Sequence, residues 1–171
     1  MSVIAKFTLP SDYGCIGLIN PETFVSFVNE NWQLEELITH FVSEINKNHL
    51  VAWGCVSGNW NLEFHDNFSV ISGYQESFQT IYSNGNLLLV NYDSLTDAAQ
   101  FFDVHLPLNG MESFQLVLSP GYYLCRIVQL FDPQEAESEE VFYRDSSHFI
   151  IELKKDGNPV EPCYKIPWFP I

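Results

Sequence analysis

The spacing of hydrophobic residues along the chain changes character near residue 48. Before that point the pattern contains one clear helix, and after it the chain is a series of short apolar runs separated by turn residues. At the very start, Val3, Ala5, Phe7 and Leu9 alternate with polar residues. This period of two predicts a half-buried strand.

A helical segment is predicted over about residues 21–47. Asn20 is typical of an N-cap, and it is followed by a proline and an acid in the first turn. The apolar residues from Leu34 to Ile45 recur every three or four positions, which places them on one face of a helix. We expect any break in this segment at the polar run 29–31.

The region 49–155 is predicted to be β-rich, because its apolar runs are short and separated by turn residues. Its first run, 49–56, is apolar on both faces, which is typical of a central strand. The residues after Ser94 predict a short helix with Ser94 as its cap. Alternation over 149–153 predicts a last strand.

Two turn sequences in this region predict β-hairpins. Asn84-Gly85 lies between two strand-like runs, and this dipeptide is a strong hairpin signal. Ser119-Pro120-Gly121 likewise separates two such runs and suits a type II turn. Each pair of runs is therefore expected to be antiparallel and adjacent in one sheet.

These elements together predict a single domain over residues 1–171 with an α+β fold. Its antiparallel strands form a sandwich or barrel-like sheets, and one or two helices come from the N-terminal quarter. The Pro-rich tail, residues 156–171, also contains Trp168 and Phe169. We expect the tail to be extended and to dock on its own domain, with partner binding as the alternative.

The composition predicts a packed domain with reduced cysteines. With 46% hydrophobic and 15% aromatic residues, the chain has enough apolar surface to offset the entropy lost on folding. Its four cysteines are far apart, and the absence of a Cys-x-x-Cys pair argues against a zinc site. The sequence shows neither a secretory signal nor an apolar run that could cross a membrane, so we expect a cytoplasmic protein.

The net charge of −15 arises mainly from a shortage of bases, since 22 acids face only 7 Lys and Arg. Because so few groups can neutralise phosphates, we expect neither a nucleic acid nor a membrane surface as a partner. A basic protein would be attracted, because complementary charge speeds association. The competing interpretation is that the charge serves solubility alone.

One segment, Asp132–Asp145, concentrates this charge, with six acids and Arg144 as its base. We expect it to be a solvated loop whose like charges repel one another until a cationic partner binds. Carboxylates at such spacing can also mimic a phosphate backbone. The predicted partner-binding residues are Asp132, Glu135, Glu137, Glu139, Glu140 and Asp145. A merely solubilising loop is the alternative.

Motifs of the common enzyme classes are missing from the sequence. It has no phosphate-binding glycine loop, no Gly-x-Ser-x-Gly turn and no His-Glu-x-x-His helix, so we expect no enzyme, no cofactor and no metal. Glu63 with His65, and Asp103 with His105, place a carboxylate and an imidazole on the same strand face. They would form a metal site only if their strands were neighbours, and exposed pairs on a polar face are the favoured interpretation.

A cysteine nucleophile would need a base beside it. Cys55 and Cys125 lie within apolar strand patterns, where a free cysteine packs as a small hydrophobic residue. Neither Cys15 nor Cys163 has a base nearby in the sequence. We therefore predict no catalytic cysteine.

The sequence over residues 114–125, with the acidic segment and the closing strand 148–152, resembles small bacterial β-sandwich inhibitor proteins. These are the nuclease inhibitors of the competence type and the immunity proteins of polymorphic or contact-dependent toxin systems. The resemblance covers about residues 60–155, and the helix at 34–46 lies outside its pattern. It implies a stoichiometric inhibitor that blocks a toxin without catalysis of its own.

We therefore predict a non-catalytic immunity or inhibitor protein that binds and neutralises a basic protein toxin, with a nuclease as the preferred target. A different class remains open, a β-sandwich that binds a small ligand or carbohydrate on aromatic side chains. Its platform would consist of Trp53, Trp60, Tyr122 and Tyr123. A third hypothesis is a metal-dependent enzyme that uses His65 and His105.

Overall fold

The computed structural model describes residues 2–156 and 160–170, which form nine strands and three α-helices. The strands are β1 (Val3–Ser11), β2 (Gly14–Ile19), β3 (Leu50–Cys55), β4 (Gly58–His65), β5 (Gln75–Ser83), β6 (Asn86–Val90), β7 (Gln115–Val117), β8 (Gly121–Gln129) and β9 (Phe149–Lys155). The helices are α1 (Leu34–Asn46), α2 (Tyr92–Gln100) and α3 (Glu139–Phe142).

The strands form two sheets. Sheet A has five strands in the order β1-β4-β9-β8-β5, and sheet B has four in the order β3-β2-β6-β7. Neighbouring strands are antiparallel except β4 and β9, which are parallel. Two antiparallel-rich sheets with helices confirm the predicted α+β class, and in the described residues neither sheet closes into a barrel.

The main core lies between sheets A and B. Alternate residues of β4, namely Trp60, Leu62 and Phe64, are almost fully buried in this core. The rings of Trp53 in β3 and Phe149 in β9 lie 5.8 Å apart and join the two sheets directly. Burying a side chain of this size stabilises the fold by roughly 1.5–3 kcal/mol, so the alternating runs specify a sandwich.

The other face of sheet B is covered by α1 and α2. Leu37, Phe41 and Ile45 of α1 are buried there with Leu95 and Ala99 of α2. Because both faces of sheet B are covered, every residue of β2 and β3 is buried. This explains the two-sided apolar run around β3, but β3 lies at the edge of sheet B, so its predicted central position is wrong.

The first part of the predicted helical segment is also wrong, because the helix begins only at Leu34. Asn20 closes a turn, in which its Oδ1 accepts a hydrogen bond from the Glu22 N–H at 3.0 Å. The irregular stretch that follows packs beside α1, where the buried Glu44 carboxylate accepts from the Val25 N–H at 2.7 Å. A single turn forms after Asn20, since the Phe24 N–H donates to the Asn20 carbonyl at 2.9 Å. The bond from the Val25 N–H to Glu44 then replaces the next bond of a helix.

The second helix differs from the prediction at its start. Helix α2 begins at Tyr92, and its N-cap is Asn91, whose Oδ1 accepts from the Ser94 N–H at 2.9 Å. Ser94 is therefore a residue of the first turn and is not the cap.

Both predicted hairpin turns connect different sheets. Strands β5 and β8 pair in sheet A, whereas β6 and β7 pair in sheet B. The two turns lie side by side, since the Ser83 hydroxyl donates to the Leu118 carbonyl at 3.0 Å and the Leu118 N–H donates to the Gly85 carbonyl at 3.2 Å. The strand predictions hold, but the hairpins are wrong because two paired ribbons bend together at this corner.

The described part of the tail, residues 160–170, packs on its own domain, in agreement with the expectation of self-docking. Ile166 is buried against the helix side of sheet B. The carbonyl of Pro167 accepts from the Gly54 N–H of β3 at 2.7 Å. Residues 157–159 and 171, which the predicted tail includes, lie outside the described residues.

Candidate partner-binding surface

The predicted acidic residues lie in the connection between β8 and β9. This acidic segment, residues 132–145, contains a short 3₁₀ turn over Pro133–Glu135 and then α3. The Asp132 carboxylate accepts from the Gln134 N–H at 2.9 Å and caps the 3₁₀ turn. Ser138 caps α3 in the same way. The segment therefore has defined local structure.

Buried apolar side chains hold the acidic segment against the sandwich. Ala136 and Val141 are buried and belong to the core between the two sheets. The expected solvated loop is therefore wrong in part, because the segment is anchored from below while its acids face outward. The sequence signal for this anchoring is the set of apolar residues within the segment, Ala136, Val141 and Phe142.

His148 joins the acidic segment to β4. Its Nδ1 accepts from the Asn61 N–H at 2.9 Å, and its Nε2 donates to the Val141 carbonyl at 2.7 Å. This pair of bonds requires the neutral ring with its proton on Nε2. Burial lowers the pKa of His148, and the charge of Arg144 lowers it further, while the bond to Val141 only partly opposes this shift. The ring also packs edge-on against Trp60 at 5.0 Å.

The carboxylates of the acidic segment are largely free to meet a partner. Five of the six are exposed, namely Glu135, Glu137, Glu139, Glu140 and Asp145. Asp132 is partly buried and acts as a cap. Across the two described ranges, ion pairs involve Glu44, Glu63, Glu76 and Glu152, and none involves this segment. The segment has one base, Arg144, against its six acids, so most of its negative charge is uncompensated.

Tyr143 adds a large side chain to this charged surface. It follows α3 directly and is 75% exposed. Tyrosine is one of the residues that most often dominate binding energy at interfaces, because it offers a rigid ring with a polar end. The sequence prediction, which considered charge alone, missed it.

Comparisons with known proteins identify the fold and leave the function open. No protein-family model matches the chain, and no curated protein matches it significantly. A solved structure titled "Crocagin biosynthetic gene J" matches with a TM-score of 0.62 at 14% identity, covering 92% of this chain and 100% of that one. Two proteins at this level of similarity share a fold, so the sandwich described above occurs in another solved protein.

A second solved structure is titled "Crystal structure of ComJ, inhibitor of the DNA degrading activity of NucA, from Bacillus subtilis". It matches with a TM-score of 0.48 at 10% identity, covering 90% of this chain and 97% of that one. That title describes a nuclease inhibitor, the kind of protein that the sequence was predicted to resemble. A likeness at this TM-score is too low to support an inference about function, and the resemblance to immunity proteins stays a prediction.

The two carboxylate–imidazole pairs lie in different parts of the fold. His65 is at the end of β4 in sheet A, with its Nε2 at 3.0 Å from Glu63. Asp103 and His105 are exposed in the connection between α2 and β7. In residues 2–156 and 160–170, no group of three or more His, Cys, Asp or Glu side chains is positioned to hold a metal ion.

Glu63 has partners that fix its ionised form. Burial opposes ionisation, but hydrogen bonds from Ser147 and His65 outweigh it and lower the pKa of Glu63. The Ser147 hydroxyl donates to Glu63 at 2.8 Å. This hydrogen bond ties Ser147, two residues after the acidic segment, to β4, so Glu63 has a structural role.

The cysteines are poorly suited to nucleophilic chemistry. Cys15, Cys55 and Cys125 are buried, and Cys163 is partly buried. Burial raises the pKa of Cys55 to about 12 and raises those of the other three thiols as well. The thiolate is the nucleophile, so these pKa shifts disfavour it. The burial of Cys55 and Cys125 fits the packing role predicted for them.

The predicted aromatic platform does not exist as a surface. Trp53, Trp60 and Tyr123 are buried in the core, and only Tyr122 is exposed. The ligand-binding hypothesis is therefore wrong in its residues, because alternation along β3, β4 and β8 directs those rings inward. Among the described helices, none is long and apolar enough to cross a membrane.

Proposed function

We propose that this chain is a non-catalytic immunity or inhibitor protein that binds a basic protein partner through its acidic segment. The observation that carries the proposal is the set of five exposed carboxylates on an anchored segment without paired bases. An ordered segment binds with a smaller loss of entropy than a mobile loop. Its charges are therefore preorganised for a cationic surface.

The net charge of −15 directs such a partner toward the chain. Long-range attraction raises association rates by roughly 10- to 1000-fold at low salt. Charges at the rim of an interface contribute more to rate and specificity than to affinity. Tyr143 at the end of α3 supplies the apolar contact that charge alone lacks.

A nuclease toxin is the preferred partner within this proposal. A nuclease has to gather Lys and Arg side chains around the phosphates that it cleaves. A row of carboxylates on a rigid support can occupy such a surface in place of the phosphate backbone. ComJ is described as an inhibitor of the DNA-degrading activity of NucA, but the proposal rests on the charges of this chain.

The test is co-purification with the product of the adjacent upstream gene, followed by binding kinetics. The variant Glu137→Gln, Glu139→Gln, Glu140→Gln is expected to slow association about tenfold at low salt and to flatten its dependence on salt. A matched control, Glu22→Gln, Glu30→Gln, Asp103→Asn, removes three exposed charges elsewhere. The control should change the rate less than about twofold. No complex, or equal effects of both variants, would contradict the proposal.

A further inference from the structure

Three depressions lie along β5, and together they form a groove. Their volumes are about 140, 520 and 160 Å³, and neighbouring depressions share Trp168 or Cys163 in their lining. Residues 75–80 of β5 line one wall, and tail residues 160–168 line the other. The first depression is also lined by Pro133 and Ala136, so this edge groove begins at the acidic segment.

The backbone of β5 has hydrogen-bonding groups that point into this groove. In an antiparallel pair, alternate residues bond to the neighbour and the others point away. Tyr82 points away from β8, because its N–H donates to the Asn48 carbonyl at 3.0 Å and its carbonyl accepts from Asn20 at 2.8 Å. Thr80, Phe78 and Glu76 precede Tyr82 by two, four and six residues. Their backbone N–H and C=O groups therefore also point away from β8.

The neighbouring strand gives the same assignment independently. The Leu130 N–H donates to the His148 carbonyl at 2.9 Å, so the even-numbered residues of β8 bond toward β9. The odd-numbered residues of β8 therefore bond to β5, and their register partners in β5 are also odd-numbered. Within residues 2–156 and 160–170, no hydrogen bond reaches the outward N–H and C=O groups of Glu76, Phe78 and Thr80.

The tail closes the edge of β3 but stands away from that of β5. At β3, the Gly54 N–H is bonded to Pro167, and the Gln79 side chain bonds both backbone groups of Ala52 at 3.0 and 2.7 Å. At β5, a depression separates the strand from tail residues 160–163. An open strand edge is a template for pairing with another chain.

A second observation points to a ligand at this edge. Thr80 is 5% exposed and lines the depression nearest α1, and its hydroxyl is a buried group without a hydrogen-bond partner in the described residues. Buried polar groups in native proteins are nearly always paired. Beside it, Phe78 is 41% exposed and offers an apolar contact for a neighbouring strand.

We infer that the edge groove binds an extended segment of a partner protein, which adds to sheet A as a sixth strand beside β5. The added strand would pair with Glu76, Phe78 and Thr80 through main-chain hydrogen bonds and place alternate side chains near Phe78. This inference rests on the proposed function for the identity of the partner. A chain held at the acidic segment reaches the groove directly at Pro133 and Ala136.

Charge favours a basic partner over a second copy of this chain. Two copies would each bring a net charge of −15 to the contact, and tail residues 160–165 of both copies would compete for the space beside β5. The charged residues that line the groove are two acids, Glu76 and Glu161, and one base, Lys165, so their net charge favours a basic segment. An extended segment carrying apolar and basic residues in alternation therefore fits the groove best.

The probe is a synthetic peptide of about ten residues that alternates valine and lysine, long enough to pair with residues 76–80. Binding to the full chain is measured by titration, and amide hydrogen exchange locates it. We expect slowed exchange at the N–H groups of Phe78 and Thr80. A peptide with an N-methyl group on every residue keeps the charge and side chains but lacks the main-chain donors, and it should bind at least about tenfold more weakly.

A pair of variants at Phe78 separates the contribution of the backbone N–H to peptide binding from that of the side chain. Phe78→Pro removes the outward N–H and leaves the β8 ladder intact, whereas Phe78→Ala keeps that N–H. We expect about a tenfold loss of binding for Phe78→Pro and less than about a threefold loss for Phe78→Ala. If Phe78→Pro fails to fold, the exchange pattern with the two peptides decides instead.

Several results would overturn the inference. They are no binding up to about 1 mM peptide, equal binding of the N-methylated peptide, or protection confined to residues 132–145. A dimer of this chain that Phe78→Pro abolishes would assign the groove to a second copy. Failure of the proposed function is distinguishable, because it would remove the effect of the acidic-segment variant on the upstream gene product while peptide binding at β5 persists.

Discussion

The acidic segment and the edge groove adjoin at Pro133 and Ala136, yet they present opposite kinds of polar group. In the acidic segment, turns and α3 use the backbone, and the side chains are charged and exposed. In the groove, the β5 backbone has unused donors and acceptors, and most of the lining side chains are uncharged. One surface offers long-range attraction, and the other offers short-range, directional pairing.

This difference separates the two surfaces experimentally. Salt weakens attraction between exposed charges, so changes in the acidic segment should alter mainly the association rate and its salt dependence. Main-chain pairing acts only at contact, so changes in the groove should alter mainly dissociation. Each surface is also fixed from behind by a small number of buried polar contacts, which can be broken separately.

The largest effect is expected from His148→Ala, which removes the contact that fixes the acidic segment. The change leaves a cavity beside Trp60 and unpairs the Asn61 N–H. It also removes one of two bonds to the Val141 carbonyl, which still accepts from the Arg144 N–H at 3.3 Å. We expect a loss of about 4 kcal/mol in the free energy of unfolding, measured in urea. Proteolytic cleavage within residues 132–145 should become faster.

The exposed His105 provides the control for this change. His105→Ala removes the same side chain from a surface loop and should change stability by less than about 0.5 kcal/mol. A His148→Ala protein as stable as the parent would show that the acidic segment does not depend on this ring.

The next effect is expected from Gln79→Ala, on the groove side of the comparison. Gln79 satisfies both buried backbone groups of Ala52, and alanine would leave them unpaired. We expect a loss of about 3 kcal/mol in the free energy of unfolding, without a change in the salt dependence of partner association. Gln75→Ala, on the same strand, breaks one side-chain bond to Gln129 and should cost about 1 kcal/mol. Equal losses would contradict the role assigned to Gln79.

Much of the fold was predictable because local alternation reflects local burial. The predicted strands at β1, β4 and β9 are confirmed. Strands β1 and β4 alternate in burial along their length, whereas Phe149 to Leu153 of β9 are all buried. Strand β2 was missed, because it is buried on both faces and contains Gly14 and Gly17, so it shows neither alternation nor strand-forming residues at those positions. The turns at Gly85 and Gly121 were found, but a turn sequence does not specify which sheet receives the next strand.

The candidate surfaces were predictable to different degrees for the same reason. The exposure of the acids from Glu135 to Asp145 follows from their charge alone. Their anchoring by His148 depends on the approach of β4, which is far away in sequence. The edge groove depends on strand order and on where the tail lies, and neither is a local property. Pairing between distant segments was therefore the part that sequence patterns could not supply.

A smaller effect is expected from Gly54→Ala, which tests the tail wall of the groove. A Cβ at Gly54 would lie 2.0 Å from the Trp168 carbonyl oxygen and 2.2 Å from its carbon, so the tail has to move. We expect a loss of about 2 kcal/mol in the free energy of unfolding and faster proteolysis in the tail. Gly58→Ala meets its nearest atom only at 3.3 Å and should have a smaller effect. Unchanged cleavage of the tail in Gly54→Ala would contradict the docking.

The smallest effect is a dependence of stability on pH that comes from His148. Because burial lowers its pKa in the folded state below the ordinary value of 6.5, the unfolded chain binds a proton more readily. Stability from this group is therefore fully present above about pH 6.5 and is lost as the pH falls toward the folded-state pKa, by at most about 1.4 kcal/mol for each pH unit.

The measurement compares urea unfolding of the parent and of His148→Gln between about pH 7.5 and 5.5, since glutamine does not titrate. The stability difference should shrink on acidification, and the acidic segment should loosen while exchange at Phe78 and Thr80 changes less. A difference that is constant or grows toward acid would show that the ring is not held neutral, and the anchoring of the acidic segment would then need another explanation.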